Sequence, residues 1–576
     1  MAGNDKINFF GETDFRGKRL RFGIKELDRA KHLYIIGKTG MGKSTMMENM
    51  AIQDIQNGEG LAVIDPHGSF ADKMIDYVPE ERIGDVIYFA PFDTGFPVSF
   101  NVMEDVGRDK RHLVASGLMS AFKKIWIDAW SARMEYILNN TLLALLEFPD
   151  ATILGVNRML SDKDYRKAVV DNIKDPSVKS FWKDEFAKYG DKYMQEAGAA
   201  IQNKVGQFTS NPLIRNIIGQ PKSTFDFRRV MDEKKILIIN LSKGQVGEQN
   251  ASLLGGMLVT KIYLAAMSRA DVPPETLRFL PSFYLYVDEF QSFANESFAD
   301  ILSEARKYKL ALTIAHQYIT QMEESVRDAV FGNVGSTVSF RVGPFDAEVL
   351  ERAFAPTFTQ EDLVNLSFIQ IYLTLQINGI GSQPFSATTI GPFPKPKIIF
   401  RKEIIENSRK VFARPRDVVE LEIEAWHNKN YAVPKEPKER GEFRESGELR
   451  VDKWDDQRPP ARRTAPFRDR MPMRSYDQKP PSRIRIPEFK EAKEVQEMPQ
   501  EKPVPLSVLK KKVPQTKNVL ELRELLSKVT TKEEKPQAQI EHPKKEEKKE
   551  EKPQAEYVPP RIPKEVPKDV LQKILE

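Results

Sequence analysis

The chain has 576 residues, 88 Lys and Arg against 83 Asp and Glu, and no cysteine. Its length accommodates two to four domains at roughly 150 residues each. A formal net charge of +5 does not mark a nucleic-acid binder by bulk charge, so any DNA contact must come from local clustering. The absence of cysteine excludes disulfides and thiolate metal sites and fits a reducing compartment.

The opening stretch, residues 1–30, has no apolar h-region and reads as a polar lead-in. The apolar run LYIIG (33–37) is an expected strand. It breaks into KTGMGKST, completing the pattern G-x-x-x-x-G-K-[ST] at Gly37, Gly42, Lys43 and Ser44, with a helical MMENMAIQDIQ behind it. Strand, glycine loop and helix together are the context a phosphate loop needs. Glycines let backbone N–H groups turn onto phosphates, and the helix N-terminus adds partial positive charge. The expected nucleotide cradle is Gly37, Lys38, Thr39, Gly40, Met41, Gly42, Lys43, Ser44 and Thr45. Lys43 would neutralise the β- and γ-phosphate oxygens of ATP, and the Ser44 hydroxyl would ligate Mg2+.

LAVID (61–65) and VIYFA (86–90) are the next expected strands. From about 107 to 222 the pattern turns helical, as in RMEYILNNTLLALLEF (133–148), and an inserted all-α domain is expected there. ASLLGGMLVTKIYLAAMS (251–268) is the most apolar run. It is interrupted by Lys261 and reads as a buried helix, not a membrane span, which needs roughly 18 apolar residues or more. KILIINL (235–241), FYLYVD (283–288), ALTIA (311–315), STVSFRV (336–342) and IYLTLQI (371–377) complete the strands. Strands alternating with helices imply a parallel sheet covered by helices. The fold class is therefore α/β, a P-loop RecA-like domain over 31–106 and 223–400, followed by a helical extension over 401–430.

FYLYVDEF places Asp288 and Glu289 at the end of an apolar strand, where the phosphate loop also lies in such sheets. Asp288 would hold Mg2+ through water, and Glu289 would take a proton from the attacking water. That arrangement points to ATP hydrolysis. In EARKYKLALTIAHQYITQ, Gln317 ends the next strand and could hydrogen-bond the attacking water or the γ-phosphate. Arg306 precedes that strand and could reach a neighbouring subunit's nucleotide as an arginine finger. The alternative is a surface arginine pairing with Glu304 or water, with Arg327 or Arg341 then the finger. His316 reads as structural, and Asp65 in VIDPHG as a supporting or turn residue.

Residues 431–576 hold 20 of the 38 prolines, with 35 Lys and Arg against 28 Asp and Glu. Such a segment cannot bury enough apolar surface to offset its ordering entropy and is expected to be disordered. Its basic stretch 458–486 could hold phosphate backbones. NVLELRELLSKV (518–529) and the closing PKDVLQKILE are candidate docking helices.

With those residues in place, the chain resembles the coupling ATPases of type IV secretion and conjugation, the TraG/TraD-like proteins with a TraM-recognition region, within the HerA/FtsK DNA-pumping P-loop ATPases. The resemblance rests on IIGKTGMGKS, VIDPHGSFADKMI, LIINLSKGQVGEQNASLLGGMLV, YLYVDEFQSFA and EARKYKLALTIAHQYITQM. It implies a homo-oligomeric ring, by family a hexamer, that moves DNA or a nucleoprotein and engages a secretion channel or relaxase. Typical members begin with transmembrane helices. Here about 30 polar residues precede the loop, so a cytoplasmic protein that meets the membrane through a partner is expected. The competing readings are a HerA/FtsK-like motor for chromosome or plasmid handling, and a nucleotide-gated adaptor recruiting protein substrates.

Overall fold

The computed structural model describes residues 6–14, 18–104, 107–127, 130–189 and 198–431. The strands are β1 (Ile7–Glu12), β2 (Arg21–Lys25), β3 (Leu33–Ile36), β4 (Gly60–Asp65), β5 (Val86–Phe89), β6 (Ile236–Asn240), β7 (Phe283–Val287), β8 (Leu310–His316), β9 (Ser336–Ser339), β10 (Gln370–Thr374), β11 (Gln376–Ile377), β12 (Ile380–Gly381) and β13 (Phe385–Thr389). Eleven of them form one sheet in the order β2-β1-β13-β10-β9-β3-β8-β7-β4-β6-β5. From β9 to β5 neighbours run parallel, and from β9 to β2 they run antiparallel. Every residue of β3, β4, β6, β7 and β8 is buried. This explains their near-continuous apolar runs, since central parallel strands are covered on both faces. The fold is a P-loop α/β sheet flanked by helices.

Two expectations need correction. The polar lead-in over residues 1–30 contains a hairpin, β1 and β2, that joins the sheet edge beside β13. Its polarity is spent internally: the Asn8 amide donates to Met50 O and Asp54 Oδ1, each at 2.9 Å, while Phe10, Phe22 and Ile24 enter the core. The expected strand 371–377 breaks at Leu375. Its N–H leaves the ladder and donates to Ser382 Oγ at 2.9 Å, opening the small β11–β12 hairpin.

Between β5 and β6 the described elements are all helical, including Arg111–Ile125, Ala132–Leu146, Lys163–Asn172, Ala199–Thr209 and Pro212–Ile218. Local chemistry sets several helix starts in this region. Ser131, Asp162, Asp175, Asn211 and Asp226 each accept a backbone N–H from the first turn that follows, satisfying donors a helix leaves orphaned. One hydrophobic cluster runs from a face of the sheet (Tyr34, Ile64, Leu312) into these helices (Leu118, Leu138, Tyr165). The helical insert therefore shares the core of the sheet.

The helix Glu248–Met267 lies in that core. Among the described residues it anchors the single segment, Glu248–Asp271, long and apolar enough to cross a membrane, and 72% of its apolar window is buried inside the protein. Two helices close the described chain. Arg401–Phe412 covers the sheet edge, its Ser408 Oγ accepting the N–H of Tyr88 at 2.9 Å. Arg416–Asn428 lays Val419 and Ile423 on Leu154 of the insert. Tyr431, placed at the head of the tail by composition, instead packs against Tyr165 and Phe148, with ring centroids 5.2 and 6.3 Å away. The basic stretch 458–486 and both candidate docking helices lie outside the described residues.

Candidate active site

Parallel pairing brings the carboxyl ends of β3, β8 and β7 side by side, with β3 against β8 and β8 against β7. The loop after β3 is pinned from three directions. Gly37 N–H donates to His316 O (3.3 Å), Lys38 N–H to Arg341 O (2.8 Å), and Met41 O accepts from Ile369 N–H (3.3 Å). Gly42 sits at φ +116° at the mouth of the helix Lys43–Gln56. A Cβ there would be strained by that φ and pressed to 3.2 Å from the Phe340 ring, so glycine is required. Lys43 is buried, and its Nζ donates to the carbonyls of Gly37 (2.6 Å) and Lys38 (3.2 Å). Burial lowers its pKa from the ordinary lysine range, an effect opposed by the charges of Glu289 and Asp288. Thr39, Gly40 and Ser44 are open to solvent.

Asp288 and Glu289 follow β7 into this space. The Ser44 hydroxyl donates to Asp288 Oδ2 at 3.2 Å, across 244 positions of sequence. Burial, then the neighbouring charges of Glu289 and Asp65, push the Asp288 carboxyl up to about 6. A buried carboxylate beside a serine hydroxyl, held short of easy ionisation by its surroundings, is a donor set that a divalent cation would relieve; Ser44 and Asp288 fit Mg2+. Glu289 has φ +47°, uncommon for a non-glycine residue and stabilised here by its N–H donating to Asp288 Oδ1 at 2.9 Å. Both of its carboxylate oxygens are engaged: Gln317 Nε2 donates to Oε1, and Gln291 Nε2 to Oε2 at 2.6 Å.

The structure thus gathers Lys43, Ser44, Asp288, Glu289 and Gln317. It does not bring Arg306 to them. Arg306 is exposed and sits before β8, at the opposite end of the strand from Gln317. Seven strand residues separate the two ends, roughly 23 Å at 3.3 Å per residue. Glu304, the surface partner considered for Arg306, pairs with Lys307 at 2.6 Å, and no ion-pair partner of Arg306 is found among the described residues. Arg327 pairs with Glu324 and Asp328. Arg341 lies beside this chain's own loop, a guanidinium nitrogen 3.2 Å from Met41 Sδ.

His316 is wholly buried. Its Nδ1 is 3.1 Å from Tyr34 Oη, its ring lies 5.2 Å from that of Phe290, and burial drives its pKa down to about 3. It stays neutral at physiological pH, as a packing residue would. Asp65 accepts the N–H groups of His67 (2.8 Å), Phe70 (2.7 Å) and Ala71 (3.0 Å). It caps the helix Ser69–Asp76, and its charge acts on the site only at a distance. Sequence reading missed Gln291, whose contact with Glu289 has no motif. It also missed Ile369, a β-branched residue at φ +61° whose Cγ2 would lie 3.6 Å from a Cβ at Gly42. Backbone strain of that kind is stored at functional sites, and no composition signal announces it.

No curated protein matches the chain. Similar solved structures include the bacterial conjugative coupling protein TrwBdeltaN70 in an unbound monoclinic form (14% identity, covering 68% of this chain and 91% of that one, TM-score 0.49). The plasmid coupling protein TrwB in complex with the non-hydrolysable ATP analogue ADPNP is another (16%, 64% and 88%, 0.47), as is VirB4 of Thermoanaerobacter pseudethanolicus (13%, 68% and 98%, 0.45). The family model for the type IV secretion-system coupling protein DNA-binding domain matches residues 24–348, from β2 through β9. With the phosphate loop, the paired carboxylates and Gln317 all inside that span, the chain belongs to the type IV secretion-system coupling protein family.

Proposed function

We propose that this protein is an Mg-ATP hydrolase that assembles as a ring and uses turnover to drive DNA, or a nucleoprotein, toward a secretion channel. The observation that carries the reading is the convergence of Ser44, Asp288, Glu289 and Gln317 at one end of three adjacent parallel strands.

In this reading the loop N–H groups of residues 37–45 and the Lys43 ammonium hold the phosphates. Lys43 exchanges the carbonyls of Gly37 and Lys38 for the β- and γ-oxygens of the substrate. Ser44 and Asp288 would hold Mg2+, which would supply charge neutralisation for the phosphates. Glu289 accepts the proton of the attacking water once Gln317 releases Oε1, and Gln317 then orients that water or the γ-phosphate. Arg306 completes a neighbour's site, because its position excludes it from its own. A finger supplied from the next subunit stabilises charge that develops in the transition state, and its exposure fits a ring interface. The helices between β5 and β6 act as an all-α domain on that ring.

The test is ATP turnover with and without single- and double-stranded DNA over a range of salt. Turnover that DNA stimulates, and salt suppresses through phosphate screening, supports the motor. Turnover indifferent to DNA favours an adaptor for protein substrates. No turnover with Mg-ATP rejects the assignment.

A further inference from the structure

The general base is wired to the helical insert. Lys124, in the last turn of the helix Arg111–Ile125, points its ammonium into the turn that follows Glu289 and donates to the main-chain carbonyls of Gln291 and Ala294. That turn is tight: Ser292 N–H donates to Glu289 O (2.9 Å), and Phe293 and Ala294 N–H groups both donate to Phe290 O (2.9 and 2.8 Å). Its outward carbonyls are left without intrachain ladder partners, and Lys124 satisfies two of them at once. Gln291 is the junction. Its carbonyl accepts from Lys124, while its side-chain amide donates to Glu289 Oε2.

The placement is deliberate in physical terms. Burial pushes the Lys124 ammonium down to about 8, with Glu323 opposing and Lys243 adding to the shift. A desolvated ammonium is tolerated only where its donors are well used. The helix that carries it cannot move freely. Gly117 lies so close to Thr260 that a Cβ would fall 2.3 Å from Thr260 Cγ2, which locks this helix against Glu248–Met267. A second lysine, Lys243, reaches the same turn through Ser292 Oγ at 3.1 Å.

We propose that Lys124 is a positioning residue for Glu289: from the insert it fixes the turn Phe290–Asn295, and through Gln291 it sets the carboxylate's orientation. This rests on the reading of Glu289 as the hydrolytic base. When Gln317 leaves Oε1 for substrate, Gln291 is the group that keeps Oε2, and Lys124 keeps Gln291.

The experiment uses the full chain. Lys124→Met keeps the stem and removes the donors. It should lower kcat about tenfold, the scale set by misplacing a catalytic group, while KM for ATP changes less than about twofold. Lys124→Arg should restore most of the loss. Gln291→Ala should cost a similar factor, and the double variant Lys124→Met/Gln291→Ala no more than either alone, because the two act in series. In nucleotide-free protein, hydrogen exchange at the amides of residues 290–295 should speed up in Lys124→Met. Unchanged kcat in Lys124→Met, additive losses, or a loss confined to KM would overturn the proposal. If the wild type hydrolyses no ATP, the ATPase reading fails on its own, and unchanged exchange over 290–295 then overturns the positioning role separately.

Discussion

Gln317 donates to Oε1 of Glu289 across the ends of β8 and β7, so the two side chains proposed as sensor and base hold each other. Amide donors on both oxygens compete with water for the acceptor sites of the carboxylate. In the proposed cycle the γ-phosphate of bound ATP would compete for Gln317.

Glu289→Gln keeps the shape of this arrangement and removes the proton acceptor. ATP should bind with near wild-type affinity, and steady-state turnover should fall roughly 10²-fold or more. Analogue binding by calorimetry alongside phosphate release checks both halves. A fall of less than about tenfold would assign the base elsewhere.

Asp288→Asn should trade activity for stability. The Asp288 carboxyl titrates near 6 in the folded chain because burial and the charges of Glu289 and Asp65 disfavour its ionisation. Unfolded, it titrates near the ordinary value of about 3.9. Between those values the folded state holds more protons than the unfolded one, so this residue makes stability fall as pH rises through that window. Above pH 6 the full cost is present, on the order of 2–3 kcal/mol. Asparagine removes it while still accepting the Glu289 N–H. Thermal melts should show Asp288→Asn above wild type at pH 7.5 and the difference vanishing near pH 4, with Mg-dependent turnover lost throughout.

Arg306→Ala should cut turnover severely and leave nucleotide affinity nearly unchanged, because a finger acts on charge that appears only in the transition state. Lys43→Ala alone should abolish turnover. Mixing the two inactive variants should restore part of the activity, since some interfaces then combine an intact phosphate loop with an intact finger. Full activity of Arg306→Ala in the presence of DNA would show the residue to be ordinary surface.

Truncation should be sensitive to one residue. Ending the chain after Tyr431 should leave a protein that melts cooperatively. Ending it after Asn430 removes a ring that packs on Tyr165 and Phe148 and lies 5.0 Å from the Arg158 guanidinium. Each aromatic pair is worth about 0.5–1.5 kcal/mol, so the shorter chain should melt several degrees lower. Equal melting temperatures would show that Tyr431 contributes nothing.

Much of this protein was legible in the amino-acid order alone. The central strands announced themselves as apolar runs because parallel strands are buried on both faces. The phosphate loop did so because only glycine tolerates φ +116° against the Phe340 ring at Gly42. Asp288, Glu289 and Gln317 were readable because strand ends converge in a parallel sheet, so a carboxylate pair and a glutamine after apolar runs already imply proximity. What local pattern could not supply was everything decided by partners distant in sequence. Asn8 lies in the stretch that read as a polar lead-in, yet its amide is satisfied by Met50 and Asp54 in the helix behind the phosphate loop. Asp65 read equally as a supporting residue of the site and as a turn residue, and only the fold shows that three backbone N–H groups occupy it. Lys124 and Gln291 carried no signal at all, because a lysine aimed at main-chain carbonyls needs no particular residue opposite it. Hydrogen bonds to main-chain carbonyls leave no trace in the identity of the residues that accept them, and only the packing of the helical insert against the sheet determined that they form.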